Sequence, residues 1–242
     1  MVKYINREGS RLGLHINAAK TETQCFSKQN QVIRLFIGNV ALKQVESFVY
    51  LRGKIRSTNS SSEDIARRIG IATGGARSLQ SIWKSANIAV DTKLLLYKSL
   101  VLSVLLYNAE RWCLKVADKC KLRIFEMSVL HRITGNTLRD RRHNESIREG
   151  LGQEVDVVQI VQQRRLTYYG RITRMENRRL PNILLYGQLH GSRPRGRPSK
   201  RWLDNIQEDC RDMGMSITTS NRLAQNRTEW KCAVGRLLER TK

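Results

Sequence analysis

The stretch from Asp91 to Tyr107, Asp-Thr-Lys-Leu-Leu-Leu-Tyr-Lys-Ser-Leu-Val-Leu-Ser-Val-Leu-Leu-Tyr, constrains the fold more than any other part of the chain. It is long enough for a helix of about four turns and is apolar on nearly every side. A helix of that kind is buried in a protein core or in a bilayer. A spanning helix needs roughly 20 apolar residues, and Lys93 and Lys98 interrupt this one. The stretch is therefore expected to be a buried core helix, with Asp91 as its N-cap. It carries no chemistry of its own. Its role is to hold a helical domain together, and the basic segments on either side carry the binding.

With 242 residues, 40% of them hydrophobic, the chain can bury a real core in one large domain or two small ones. Its formal net charge of +23 and a pI near 10.5 call for a polyanionic partner, most often nucleic acid. An acidic membrane surface fits less well, because no long amphipathic anchor with a Lys/Arg face is present. The charge is uneven. Between Arg164 and Arg201 eleven Lys and Arg residues face one acid, Glu176, with Tyr168 and Tyr169 among them and Trp202 just beyond. The five cysteines (Cys25, Cys113, Cys120, Cys210, Cys232) form no Cys-x-x-Cys pair and no zinc spacing with His131 or His143. They read as reduced, buried thiols. The first residues lack the apolar run of a signal peptide, so an intracellular protein of nucleus or cytoplasm is expected.

Near the N-terminus a helix tail turns into Gly13-Leu14-His15-Ile16-Asn17. Alternation from Val32 to Ile37 predicts a strand, Gly38-Asn39 a two-residue hairpin turn, and Val40 to Val45 the return strand. Phe48-Val49-Tyr50-Leu51 is a third short strand. This β unit is too small to stand alone. From Ser60 the period changes to a helical one, with a capping box of Ser60 and Glu63 and an apolar face of Ile65, Ile69, Ala72, Ala76 and Leu79. Gly74-Gly75 predict a kink in that helix. A helix starting near Asp118 should bury Leu122, Phe125, Val129 and Ile133 and end at Gly135-Asn136. Glu154 to Met175 reads as a long helix with Val157, Val161, Tyr168 and Ile172 on its apolar stripe. A short apolar element follows Pro181, and a helix starting at Pro198 or Ser199 carries Trp202, Ile206 and Met213 on one face. The last helix buries Trp230, Val234 and Leu237.

The strongest local motif is Arg193-Pro194-Arg195-Gly196-Arg197-Pro198-Ser199-Lys200-Arg201. Its prolines keep Arg-Gly-Arg extended, and its glycine allows close approach to a surface. The core resembles an AT-hook, which lies in the narrow minor groove of A·T-rich DNA. A basic loop contacting phosphates and a solvated linker are the other readings. Searches for catalytic patterns return nothing. Asp64, Asp118, Asp140 and Asp156 are isolated or serve as caps, and Glu208-Asp209 reads as a solvated helix face. There is no Walker loop, nucleophile elbow or His-Glu-x-x-His.

Several stretches together resemble the C-terminal part of a non-LTR (LINE-type) retrotransposon endonuclease-reverse transcriptase. Gly13-Leu14-His15-Ile16-Asn17-Ala18-Ala19-Lys20-Thr21 is similar to the polymerase motif that follows the catalytic aspartates, and Phe48-Val49-Tyr50-Leu51 to the primer-grip turn. Thr92-Lys93 through Leu106-Tyr107 and Trp112 resemble the helical thumb. Arg164-Arg165-Leu166, Tyr169-Gly170-Arg171, Arg179-Leu180-Pro181, Gly196-Arg197-Pro198 and Arg201-Trp202-Leu203-Asp204 resemble the basic segment that closes these polyproteins. The resemblance implies that Lys20 helps protonate the pyrophosphate leaving group. It implies that Phe48, Tyr50 and Leu51 place the primer's 3′ end. The helices between Ser60 and Ile133 would cradle the template–primer duplex. Arg164, Arg165, Arg171, Arg193, Arg195, Arg197, Lys200 and Arg201 would hold RNA or DNA through phosphates.

The chain also departs from the family. Its polymerase chemistry uses two metal ions, magnesium by implication, held by aspartates that include a Tyr-x-Asp-Asp turn, and residues 1–242 contain no such tetrapeptide. Arg52 stands where the family's primer grip has glycine, and Gly74-Gly75 stand where it prefers helix formers. The expectation is a mainly α protein with a small N-terminal β remnant, in three parts. Residues 1–57 are a palm edge, 58–150 a helical thumb-like domain and 151–242 a basic helical segment. No cofactor is expected in this chain and no polymerase activity from it alone; nucleic-acid binding is. The alternative is a host-recruited DNA-binding or architectural protein that uses the hook-like loop.

Overall fold

A computed structural model describes residues 2–26, 32–57, 60–136, 140, 142–153, 155–187 and 200–239. The protein is mainly helical, with a few short strands near the N-terminus. It divides into two compact units, Met1–Asp64 and Ile65–Lys242.

The N-terminal unit opens with α1 (Val2–Arg11) and carries six short strands, β1 (Glu22–Thr23), β2 (Phe36–Ile37), β3 (Val40–Ala41), β4 (Lys43–Gln44), β5 (Ser47–Tyr50) and β6 (Gly53–Arg56). The Gly38-Asn39 hairpin forms as its sequence predicts, pairing Ile37 with Val40 and Phe36 with Ala41. Its strands are shorter than the alternation suggested. The return segment breaks at Leu42, a buried side chain, and resumes as β4 in parallel with β1. A second hairpin pairs β5 with β6 and turns at Leu51-Arg52. Both turn residues take positive φ, 46° and 62°, as a two-residue hairpin turn of this hand requires. Glycine is favoured at such positions, which is why the sequence did not announce this turn. Most large apolar side chains of this unit are exposed, Phe48, Tyr50 and Leu51 among them.

In the second unit α2 (Ser62–Ser78) buries Ile65, Ala72 and Ala76 at the predicted spacing. At its start the Ser60 hydroxyl accepts from the Ser62 N–H at 3.4 Å, and the Glu63 carboxylate pairs with Lys54 and Arg56. The helix runs unbroken through Gly74-Gly75, and both glycines face open space. After α3 (Gln80–Lys84) comes the apolar stretch, as α4 (Val90–Leu96), a π-helical stretch (Tyr97–Leu102) and α5 (Ser103–Leu105). Ala89 is the N-cap, with Asp91 inside the first turn. The stretch is also less enclosed than its composition implied. Tyr97, Val101, Leu105 and Ala109 are fully buried, while Leu95 is 65% and Leu100 49% exposed. Four-residue spacing drifts by about 40° per step on an α-helix. The wider π turns correct that drift and keep one face inward. Lys93 is buried, and its Nζ donates to the Trp83 carbonyl at 2.9 Å.

Downstream lie α6 (Val116–Thr134), α7 (Asn144–Gly150), α8 (Val157–Thr173), α9 (Leu180–Tyr186), α10 (Trp202–Asp212), α11 (Ile217–Gln225) and α12 (Arg227–Glu239). α6 buries Leu122, Phe125, Val129 and Ile133 and ends at Gly135, φ 71°, as expected. α8 starts later than predicted, at a capping box of Asp156 and Gln159. Two hydrophobic cores share α8. Val157, Val158 and Val161 join the core built by α2 to α7, whereas Leu166 and Tyr169 join that of α10 to α12. At Gly170 a Cβ would stand 2.3 Å from the Trp230 ring, so glycine lets α12 press directly on α8. Among the described residues no helix is long and apolar enough to cross a membrane.

Candidate nucleic-acid interface

The helical period decides which arginines of α8 can meet a ligand. Val161, Gln162, Arg165, Leu166, Tyr169 and Ile172 point inward. Gln163, Arg164, Thr167, Tyr168, Arg171 and Arg174, at i, i+1, i+4, i+5, i+8 and i+11, line the opposite side. Glu110, from the 3-10 turn Ala109–Arg111, and Arg227, at the start of α12, stand on its flanks. Together they enclose a cleft of about 720 Å³. Among the described residues four arginines and one acid line it. Arg164 is anchored by a hydrogen bond from Nη1 to the Leu106 carbonyl at 2.7 Å, and Arg174 by one from Nη1 to the Ala224 carbonyl at 2.5 Å. Burial, and then the like charge of Arg227, pull the Arg174 guanidinium below its ordinary value. Two cations held side by side are poised for an anion.

Tyr168 differs from its sequence assignment. It leaves the apolar stripe, which Tyr169 occupies instead, and lines the cleft. Its ring meets Trp202 edge to face, with centroids 6.0 Å apart at 76°. Trp202 in turn donates its Nε1–H to the Glu110 carbonyl at 2.8 Å, tying α10 to the rim. Lys200 and Arg201, next to it in the chain, hold acids of α10: Lys200 Nζ lies 2.6 Å from Glu208 and Arg201 Nη2 3.2 Å from Asp204. Such partly exposed pairs are worth at most about 1 kcal/mol each.

Arg165 is corrected. Read as a phosphate contact, it is instead fully buried. Its Nε and Nη2 grip both oxygens of Asp209 at 2.6 and 2.8 Å, and Nη1 reaches the Trp112 carbonyl and the Asn205 side chain. Asp209 is corrected with it: the residue read as solvated is the buried partner. Burial pushes its carboxyl up, and Arg165 and the Gln162 amide pull it back. A buried pair of this kind organises the core, and no ligand reaches it.

Arg193, Arg195 and Arg197 lie outside the described residues. Lys20 closes a 3-10 turn, Ala18–Lys20, whose backbone N–H groups are capped by Asn17 Oδ1 at 3.0 and 3.2 Å. The chain after it runs beside the segment leading into β5, and Gln24 Nε2 bridges the Glu46 and Ile55 carbonyls. Lys20 and the hairpin that carries Phe48, Tyr50 and Leu51 therefore share one small unit. Among the described residues no three His, Cys, Asp or Glu side chains gather as a metal-ion site.

Sequence reasoning did not single out Arg174, Arg227, Gln163, Thr167 or Glu110. The helical spacing around Arg164 and Arg171 could have exposed the first, third and fourth. Nothing local marks Glu110 or Arg227, because both arrive through tertiary packing.

The chain is 27% identical over 251 residues to an uncharacterised transposon-derived protein of Caenorhabditis elegans, an alignment covering 98% of this chain and 88% of that protein. No protein-family model matches it, and no solved structure matches it.

Proposed function

We propose that this transposon-related chain is the palm edge, thumb and basic C-terminal segment of a reverse transcriptase of the LINE type, and that it binds RNA or DNA through phosphate contacts. The observation that carries this is the α8 cleft, where Arg171, Arg174 and Arg227 converge with Glu110 as the one acid among the described lining residues. The net charge of +23 supports it, as does the similarity to a transposon-derived protein. In this reading Phe48, Tyr50 and Leu51 place the primer end, and Lys20 is the general acid toward the pyrophosphate leaving group of the complete polymerase. Residues 1–242 hold no Tyr-x-Asp-Asp turn, so they are assigned binding and positioning and not the metal-assisted step.

Salt dependence tests it. Each phosphate neutralised contributes a slope of about −0.9 in log affinity against log salt. Arg171→Ala combined with Arg227→Ala should weaken binding to RNA and DNA and make the slope shallower by about 2. Unchanged affinity and slope would remove the cleft from the interface. The Arg195-Gly196-Arg197-Pro198 sequence favours a second reading, a host-recruited architectural DNA binder. Competition between A·T-rich and G·C-rich duplexes separates the two. A strong A·T preference, lost in Arg195→Ala with Arg197→Ala, supports the hook; indifference supports backbone binding.

A further inference from the structure

The lining of the α8 cleft changes character along its length. Toward the middle of α8 stand Gln163, whose side-chain amide donates and accepts, Thr167, whose hydroxyl donates to the Gln163 carbonyl at 2.8 Å and can still accept, and Glu110, whose carboxylate accepts. At the C-terminal end stand Arg171, Arg174 and Arg227. Arg164, although at the first end, has a guanidinium nitrogen committed to the Leu106 carbonyl. Between the ends lies Tyr168, its ring set against Trp202. The lining residues from Gln163 to Arg174 span roughly 16 Å of helix at 1.5 Å per residue. A track for a uniform polyanion would be cationic throughout, and a carboxylate in its wall would oppose it. Three arginines at one end, an aromatic ring in the middle, and at the other end hydrogen-bonding groups whose single cation, Arg164, is matched in charge by Glu110 instead complement a molecule with a phosphate at one end and a base at the other.

We infer that the cleft takes an unpaired nucleotide of a single strand, with its phosphate at Arg171, Arg174 and Arg227, its base against Tyr168, and its base edge toward Gln163, Thr167 and Glu110. This rests on the nucleic-acid reading above and narrows it from any duplex or strand to an unpaired segment. Stacking on an aromatic ring is available only to a base free of its own partner and neighbours. A paired base inside a duplex offers neither face nor Watson–Crick edge to such a cleft.

The test is a fluorescence-anisotropy titration of the full chain at fixed salt. The probes are labelled 12-nucleotide single strands of mixed sequence, one RNA and one DNA, and the corresponding 12-base-pair duplex. Single strands are expected to bind at least about tenfold tighter than the duplex. Tyr168→Leu should weaken single-strand binding about tenfold, within the range that base stacking supplies, and leave the duplex unchanged, while Tyr168→Phe binds like the parent. Because Tyr168 also supports Trp202, Thr167→Arg at an exposed helix position provides a second arm. A plain phosphate track would bind every probe more tightly with the added cation; a nucleotide cleft would lose single-strand affinity because its base end is filled. Equal binding of strand and duplex, or tighter single-strand binding by Thr167→Arg, overturns the unpaired-nucleotide inference and leaves phosphate binding standing. If no probe binds, the nucleic-acid reading itself falls.

Discussion

Arg165 and Arg171 sit less than two turns apart on α8, yet one is a core residue and the other an open cation. Arg165 faces Asp209, Asn205 and the Trp112 carbonyl, and its guanidinium is sealed among them. Arg171 faces the cleft. Six residues at 100° each leave them about 120° apart around the helix axis, enough to put one in the core and the other in the cleft. What the difference teaches is that a run of arginines is not one binding surface. The helical period splits it into a face where Arg165 is held by the buried Asp209 and a face that opens on the cleft.

The sharpest way to break the comparison is to remove the acid on the closed side. Asp209→Ala leaves the Arg165 charge buried without its partner and should cost about 3–5 kcal/mol, read as a lower urea midpoint with an unchanged slope. A loss below about 1 kcal/mol would mean that water reaches Arg165 and that the two faces are alike. Next comes Gly170→Ala, which drives a methyl group into the Trp230 ring on the same closed side. Such overpacking costs about 1–3 kcal/mol and should lower the melting temperature by several degrees.

A third measurement asks whether another buried acid behaves as the closed face implies. Glu126 is buried and bonded to Arg148, and burial pushes its carboxyl up to about 7 despite that partner. Its folded value lies above its unfolded one, so the protonated form favours folding and that contribution is lost as pH rises through about 7. Glu126→Gln should therefore gain stability relative to the parent between pH 5 and pH 8. A constant difference across that window would place the Glu126 titration elsewhere. The smallest effect belongs to the open side. Arg171→Ala with Arg227→Ala should change folding stability by less than about 0.5 kcal/mol, even as it weakens nucleic-acid binding. A larger loss in the melting curve would show that these arginines support the fold after all.

The apolar periodicities of α2 and α6 were legible in the sequence, as were the Gly38-Asn39 hairpin, the Gly135 helix end and the burial of Trp230, Val234 and Leu237. Each depends on neighbours within a few residues, and local chemistry settles it. The mainly helical class and the excess of positive charge were legible for the same reason. Tertiary structure alone decided that Tyr97–Leu102 widens into π turns, that Leu51-Arg52 makes a hairpin turn without glycine, and that Arg165 is spent on an acid 44 residues downstream. It also brought Glu110 and Arg227 to the flanks of α8. A charged side chain's role follows from what faces it, and when the facing group comes from a distant part of the chain, composition and spacing do not reveal it.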